Sequence, residues 1–291
     1  MVTSVRSPEI SFFSSRSLSF QGGDTNLYRY VGNSPTTFTD PSGLEKLSKD
    51  GVNRIRDEMR RAGLSEAEVR FRLKILENVH SGKVHFPDED KGLYETRNPQ
   101  FWDDTEDGYV PKGDASDAIN DLWKSKNGIQ CYKYSSIIML KSHLDVANQN
   151  RRQELNAMFN GKVLPNDLEN EGDGVFYENL TPKNGDTFGI DELLPGDQVW
   201  FKNPYYKRLR PEIVKDEKKG KPYIGEQGSN VFYAGDGKVI SIYGGNVKSL
   251  DEYRRGMLGW NSVQAWNRYR DPHASKDDFQ IMSVRRPICP K

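Results

Sequence analysis

Apolar residues recur at helical spacing from Glu45 to Gly82, where Leu47, Val52, Ile55 and Met59 can share one face of a helix. Gly63 breaks that pattern, and Ser65 with Glu68 forms a capping box that opens a second helix through Val69, Leu73 and Leu76. A helical hairpin is expected, with its many Arg and Lys residues forming the solvated face. The stretch from His80 to Gly113 reads as loop-rich, with Pro87, Pro99 and Pro111 between acidic clusters. In DASDAINDLWKSKNGIQCYKYSSIIMLKSHLDVAN the spacing predicts a helix ending near Asn127 and Gly128. Another begins around Cys131 and carries Ile137, Ile138, Leu140 and Leu144.

Past this point the period shortens. GDGVFYENL, PGDQVWFKNP, SNVFYAGDGKVISIYGG and FQIMSVRRP read as strands, and Gly-Asp-Gly at 235–237 predicts a tight hairpin between two β-branched runs. Helices followed by antiparallel strands make the expected class α+β. The first twenty residues are Ser-rich and lack periodicity, so they are expected to be poorly ordered. Residues 22–44 alternate short aromatic or β-branched runs with Gly-Asn, Ser-Pro and Asp-Pro-Ser-Gly turn signals.

Composition narrows the function classes. The 291 residues carry 42 Lys and Arg against 42 Asp and Glu, so the long-range field that gathers nucleic acid is missing. Two cysteines, Cys131 and Cys289, do not make a disulfide scaffold. No apolar run reaches the roughly eighteen residues of a membrane helix, and the N-terminal stretch lacks the pattern of a signal peptide. A soluble protein with neither a membrane nor a nucleic-acid partner is expected.

Cys131 is the residue with the most chemical potential. At a helix N-terminus the thiolate is favoured over the thiol, and the first-turn N–H groups can receive an amide oxygen under attack. A general base would have to come from the sheet. A cysteine at a helix start can equally be a packed side chain, and the spacing alone leaves both readings open. His143 follows Cys131 by twelve residues, about three helical turns, so it cannot reach the sulfur from the same helix. His80, His85 and His273 lie in charged or loop-like contexts. No metal-ligand spacing and no phosphate-binding loop occurs, so no metal and no cofactor is expected. Trp102, Trp200, Tyr205 and Tyr206 can line a substrate groove or fill the core. Cys289, between two prolines near the tail, is expected to be passive.

Two resemblances sharpen these expectations. The string NLYRYVGNSPTTFTDPSGL resembles the end of the Rhs-repeat core, where a DPxGL-type motif marks the junction to a variable C-terminal toxin. In that family the core is a β-cocoon and the chain is cleaved just after the motif, which here makes Leu44 the processing boundary. The 291 residues carry only the last repeat, so neither the cocoon nor its protease residues are expected within them. The resemblance implies residues 1–44 as a core remnant, 45–100 as the helical N-terminal part of the toxin and 101–291 as its catalytic region. It further implies a secreted effector carried by a type VI apparatus into a competitor's cytoplasm, and a cognate immunity protein.

The segments DAINDLWKSKNGIQCYKYSSIIM, LLPGDQVWFKNPYY and GEQGSNVFYAGDGKVISIYGG resemble the spore-coat class of bacterial transglutaminases. That family has a papain-like, NlpC-related fold, a central helix on an antiparallel sheet, with the nucleophilic cysteine at the helix head and a glutamate at a strand start. The resemblance implies Cys131 as nucleophile. It implies Glu226 as base, with Gln227, Gly228 and Ser229 as a lengthening before Asn230, because this chain has GEQGSN where the family has Gly-Glu-Asn. Glu226 beside Tyr223 and Ile224 is in surroundings that could raise a carboxyl toward the thiol range; an arbitrary turn glutamate would simply face water. Gln130 replaces the glutamate that the family places before its cysteine, and the family's downstream histidine falls near Ile242. Gln130, Asn230, Trp102 and Trp200 are therefore the expected supporting or substrate-binding residues. The implied activity is acyl transfer through a Cys131 thioester, crosslinking or deamidating protein glutamines. Alternatives are an NlpC-type peptidase acting on peptidoglycan, which would want a histidine where Ser229 or Asn230 stands, and a non-enzymatic binding module.

Overall fold

The structure is a computed structural model that describes residues 48–87, 97–105, 108–160, 174–180, 182, 187–206, 227–260, 263–264, 266–267 and 273–290. The expected Rhs remnant, the Leu44 boundary and Glu226 lie outside the described residues.

The helical hairpin forms as the spacing requires. Helix α1 (Lys49–Arg61) buries Ile55 and Met59, with Asp50 in its first turn and Arg60 and Arg61 in its last, each suited to the helix dipole. Gly63 adopts a left-handed φ of 85°. It donates to the Arg60 carbonyl while Leu64 donates to that of Met59, a Schellman stop that only a residue without Cβ takes cheaply. Ser65 and Glu68 then cap α2 (Glu66–Ser81) reciprocally, as the sequence predicts. More than one face of α2 is buried, including Phe71, Ile75 and Val79, because both the helical layer and the sheet cover it.

The region read as loop contains a small hairpin. Strand β1 (Trp102–Thr105) pairs antiparallel with β2 (Gly108–Pro111), folded around the perpendicular rings of Trp102 and Tyr109. Helix α3 (Ala115–Lys124) ends before Asn127 and Gly128, where a longer helix was expected. Gly128 instead forms a parallel bridge with His85, in which His85 donates to the Asn127 carbonyl and accepts from the Ile129 N–H. Helix α4 (Cys131–Val146) starts at the predicted residue and is buried continuously from Tyr134 to Leu144. Its buried serine hydroxyls are satisfied inside the helix, Ser135 and Ser136 by the Tyr132 carbonyl and Ser142 by that of Ile138. Helix α5 (Gln149–Phe159), whose periodicity was not recognised in the sequence, follows at once, capped by Asn148.

The strands are β3 (Tyr177–Leu180), β4 (Gln198–Lys202), β5 (Gly228–Gly235), β6 (Lys238–Ser241), β7 (Val247–Ser249) and β8 (Ile281–Pro287). They form an antiparallel sheet in the order β3-β8-β4-β5-β6-β7. Asp236 and Gly237 both have positive φ, 51° and 66°, which is the tight hairpin that Gly-Asp-Gly predicts between β5 and β6. Helix α6 (Leu250–Met257) follows β7 and was not foreseen. Val199, Phe201, Val231, Tyr233 and Val239 point to one side of the sheet, into a core with Met257, Val263 and Phe279. Alternation sends Gln198, Trp200, Asn230 and Phe232 to the other side, where α4 packs against β5. The architecture is α+β, with a buried central helix on an antiparallel sheet.

Asp197, wholly buried at the head of β4, joins three parts of this structure. It accepts from Arg72 Nη1 of α2 at 2.9 Å, from Arg286 Nη2 of β8 at 2.8 Å and from the Leu194 N–H at 2.9 Å. Arg72 also donates to the Pro195 carbonyl and Arg286 to that of Glu192.

Candidate active site

Cys131 is the first residue of α4, and the segment before it is held from two directions. His85 accepts from the Ile129 N–H at 3.1 Å and donates its own N–H to the Asn127 carbonyl at 2.8 Å. From the other direction the Tyr243 hydroxyl donates to the Ile129 carbonyl at 2.6 Å. Gln130 occupies the N-cap position, is exposed, and makes no side-chain cap. No side-chain cap takes up the first-turn N–H groups, and those of Cys131 and Tyr132, with the backbone of Asn230, favour the charged form of the sulfur.

From the sheet, Asn230 of β5 donates its Nδ2 to Cys131 Sγ at 3.5 Å. Behind it, Gln198 of β4 donates Nε2 to Asn230 Oδ1 at 2.8 Å. Both amides are about 5% exposed or less. Trp200 stands directly opposite Asn230 in the β4–β5 register. Gly228 lies against the Phe201 carbonyl and the Trp200 indole, where a Cβ would come within 2.6 Å of Trp200 Nε1 and nearer still to the carbonyl oxygen, so no larger residue fits there unless the backbone as well as the ring moves. On β5 beside Asn230, Ser229 Oγ and the Tyr253 hydroxyl of α6 share a 2.6 Å hydrogen bond.

Burial pushes the Cys131 thiol up, and the Asn230 amide and first-turn N–H groups only partly offset it. A thiolate favoured at rest by the helix end was expected; desolvation reverses that direction. Tyr253 is pushed up to about 12, chiefly by burial, with the charge of an ionised Cys131 adding to it. Its phenol stays protonated, with its hydroxyl engaged by Ser229. The site thus holds a protonated thiol amid donors that can receive negative charge once it forms.

The expected site residues separate. The fold brings Asn230 to Cys131, sets Trp200 beside Asn230, and leaves Gln130 exposed at the helix start. Trp102 is 2% exposed and packs on Tyr109, as a core aromatic does. Tyr205 is likewise buried, donating to Asp278. Gly228 and Ser229, read as a lengthening before Asn230, are regular ladder residues opposite Lys202 and Phe201. Glu226, Tyr223 and Ile224 lie outside the described residues; Gln227, the next residue, accepts from the Asn203 N–H at 2.9 Å. His143 is buried between Phe71 and Phe176. Gln198 and Tyr253 were not singled out in the sequence. Alternation along β4 would have found Gln198, a polar residue on the face of Trp200; nothing local marks Tyr253.

A family model described as protein-glutamine gamma-glutamyltransferase matches residues 60–290. A protein-glutamine gamma-glutamyltransferase of Bacillus mycoides (strain KBAB4) is 28% identical over 163 residues, covering 54% of this chain and 51% of the relative. One of Bacillus cereus (strain B4264) is 28% identical over 167 residues with the same coverage. The chain spans about half the length of the curated relatives it matches. No solved structure matches it.

Proposed function

The chain belongs to the protein-glutamine gamma-glutamyltransferase family, and from that membership we propose that it acylates Cys131 with the side chain of a protein glutamine. The observation that carries this reading is the convergence of Asn230 and two helix N–H groups on Cys131 Sγ.

In the proposed reaction the thiol loses its proton to a base as sulfur attacks the glutamine Cδ. The carbonyl oxygen becomes an oxyanion, its charge received by N–H donors at the head of α4. The C–N bond then breaks, and the departing nitrogen takes a proton to leave as ammonia. A primary amine attacks the thioester, loses a proton, and expels the Cys131 sulfur, which regains one; water in place of the amine gives deamidation.

Glu226 is our choice of base. Its support is position: it precedes Gln227, whose carbonyl is fixed by Asn203 at the entry to β5. Because burial favours the protonated thiol, a base at this point has work to do. The substrates are proposed to be proteins of a competing bacterium. The chain would then act as an effector carried by a type VI apparatus and held in check by an immunity protein, a role supported by the Rhs-like string ending at Leu44.

Incorporation of a labelled primary amine into a glutamine-rich acceptor, with ammonia followed in parallel, tests the reading. Amine incorporation is expected from the unaltered chain and its loss from Cys131→Ala and Glu226→Ala. Ammonia without incorporation would make the enzyme a deamidase. Neither product from the folded protein would sink the acyl-transfer reading and direct attention to peptidoglycan fragments.

A further inference from the structure

Gln198 does not touch the sulfur, yet its side chain decides which end of the Asn230 amide the sulfur meets. An amide has a donor end and an acceptor end, and Asn230 is buried between two partners. With Gln198 Nε2 donating to Oδ1, Nδ2 is left for Sγ. If both amides were reversed, Asn230 Nδ2 would donate to Gln198 Oε1, and Oδ1 would face the sulfur. The first arrangement suits a thiolate, which only accepts; the second suits a thiol, whose S–H can donate to the oxygen.

The leftover atom distinguishes the two. In the observed arrangement Gln198 Oε1 is buried without a hydrogen-bond partner among the described residues. Reversal would put the Nε2 amide in that place, stranding both of its N–H donors, where the observed arrangement commits one of them to Asn230 and strands the carbonyl oxygen. Buried donors are left unpaired more rarely than carbonyl oxygens. Gln198 is also firmly set: it sits between Phe232 of β5 and Arg285 of β8 in the ladder, directly after the doubly bound Asp197.

We propose that Gln198 is a positioning residue that holds the Asn230 amide with its donor end toward Cys131 Sγ, and so sets how readily the thiol gives up its proton. The proposal rests on the reading of Cys131 as the nucleophile. Gln198 need not meet substrate, and its influence is on the resting ionisation of the cysteine.

The test is the pH dependence of Cys131 alkylation by iodoacetamide in a Cys289→Ser background, where a single thiol is left to react. Gln198→Glu supplies only acceptors and should turn the Asn230 amide around. Its alkylation midpoint is expected to rise by about one pH unit, roughly tenfold less thiolate at a given pH. Gln198→Met removes the donor without adding charge and should move the midpoint the same way by less, which separates the hydrogen bond from simple repulsion. Asn230→Asp, which has no donor for the sulfur, should raise it at least as far as Gln198→Glu. Unmoved midpoints in folded Gln198→Glu and Gln198→Met would overturn the proposal, and so would a fall in melting temperature alone, which is all that a structural role predicts. Alkylation needs no glutamine substrate. Shifted midpoints in a protein that incorporates no amine would therefore remove the transglutaminase reading and leave the positioning role standing.

Discussion

Replacing Asp197 by alanine removes the one carboxylate that serves both Arg72 and Arg286. Asp197 is 0% exposed and the Arg72 side chain 5%, so the variant leaves a buried guanidinium without the carboxylate that contacts it and the Leu194 N–H without its acceptor. Breaking a buried pair in this way costs about 3–5 kcal/mol. Against the roughly 5–15 kcal/mol that holds a domain folded, that is a large fraction of the total. At about 2–4 °C per kcal/mol for a domain of this size, the melting temperature should fall by about 6–20 °C. Denaturant titration at neutral pH is the assay, with Asp197→Asn beside it, which can still accept from Leu194 and should lie between. A second variant, Asp197→Leu with Arg72→Met, removes the buried pair and leaves only the more exposed Arg286 without its partner, and should be less destabilised than Asp197→Ala. A loss below about 1 kcal/mol for Asp197→Ala, the worth of an exposed pair, would refute the reasoning.

His143, 1% exposed, is lowered from 6.5 to about 4 by burial, so the folded state holds it neutral while the unfolded state takes up a proton. Stability should therefore be complete above about pH 6.5 and drain away as pH falls toward 4. The total is about 3 kcal/mol, and the loss should be absent in His143→Met; equal acid slopes for the two proteins would contradict this. Tyr253→Phe removes the hydrogen bond to Ser229, worth about 0.5–1.5 kcal/mol, and should slow amine incorporation by up to about tenfold with the fold retained; an unchanged rate would remove Tyr253 from the site. Because burial pushes the Cys131 thiol up, its alkylation rate should still be rising with pH beyond the ordinary thiol value near 8.5, and a plateau reached at neutral pH would contradict the desolvated environment.

Local signals in the sequence specify much of this fold. Gly63, the Ser65–Glu68 box, the start of α4 at Cys131 and the Asp236–Gly237 turn each depend on residues within a few positions of one another. The elements that escaped notice have weak local patterns. Four-residue β1 and β2 lie among prolines, α5 has a mostly polar surface, and α6 is only eight residues long. Within the site, Cys131 was legible because a helix start is a local event, and Asn230 through the resemblance that its segment carries. Gln198 and Tyr253 reach the site by strand register and helix docking, which no local window contains. The direction of the Cys131 shift was also hidden, since the helix end can be read from sequence whereas the depth of burial around it cannot.

The Tyr243 clasp on Ile129 spans 114 residues, and the Asn230 contact with Cys131 spans 99. Contacts so distant along the chain form late, after the loops between them have closed. Until then Cys131 is an ordinary hydrated thiol with neither its amide donor nor its dry surroundings. The dry, amide-lined surroundings of this cysteine therefore belong to the finished molecule: a chain emerging from the ribosome, or one threaded unfolded through a narrow passage, carries the thiol without the environment that folding builds around it.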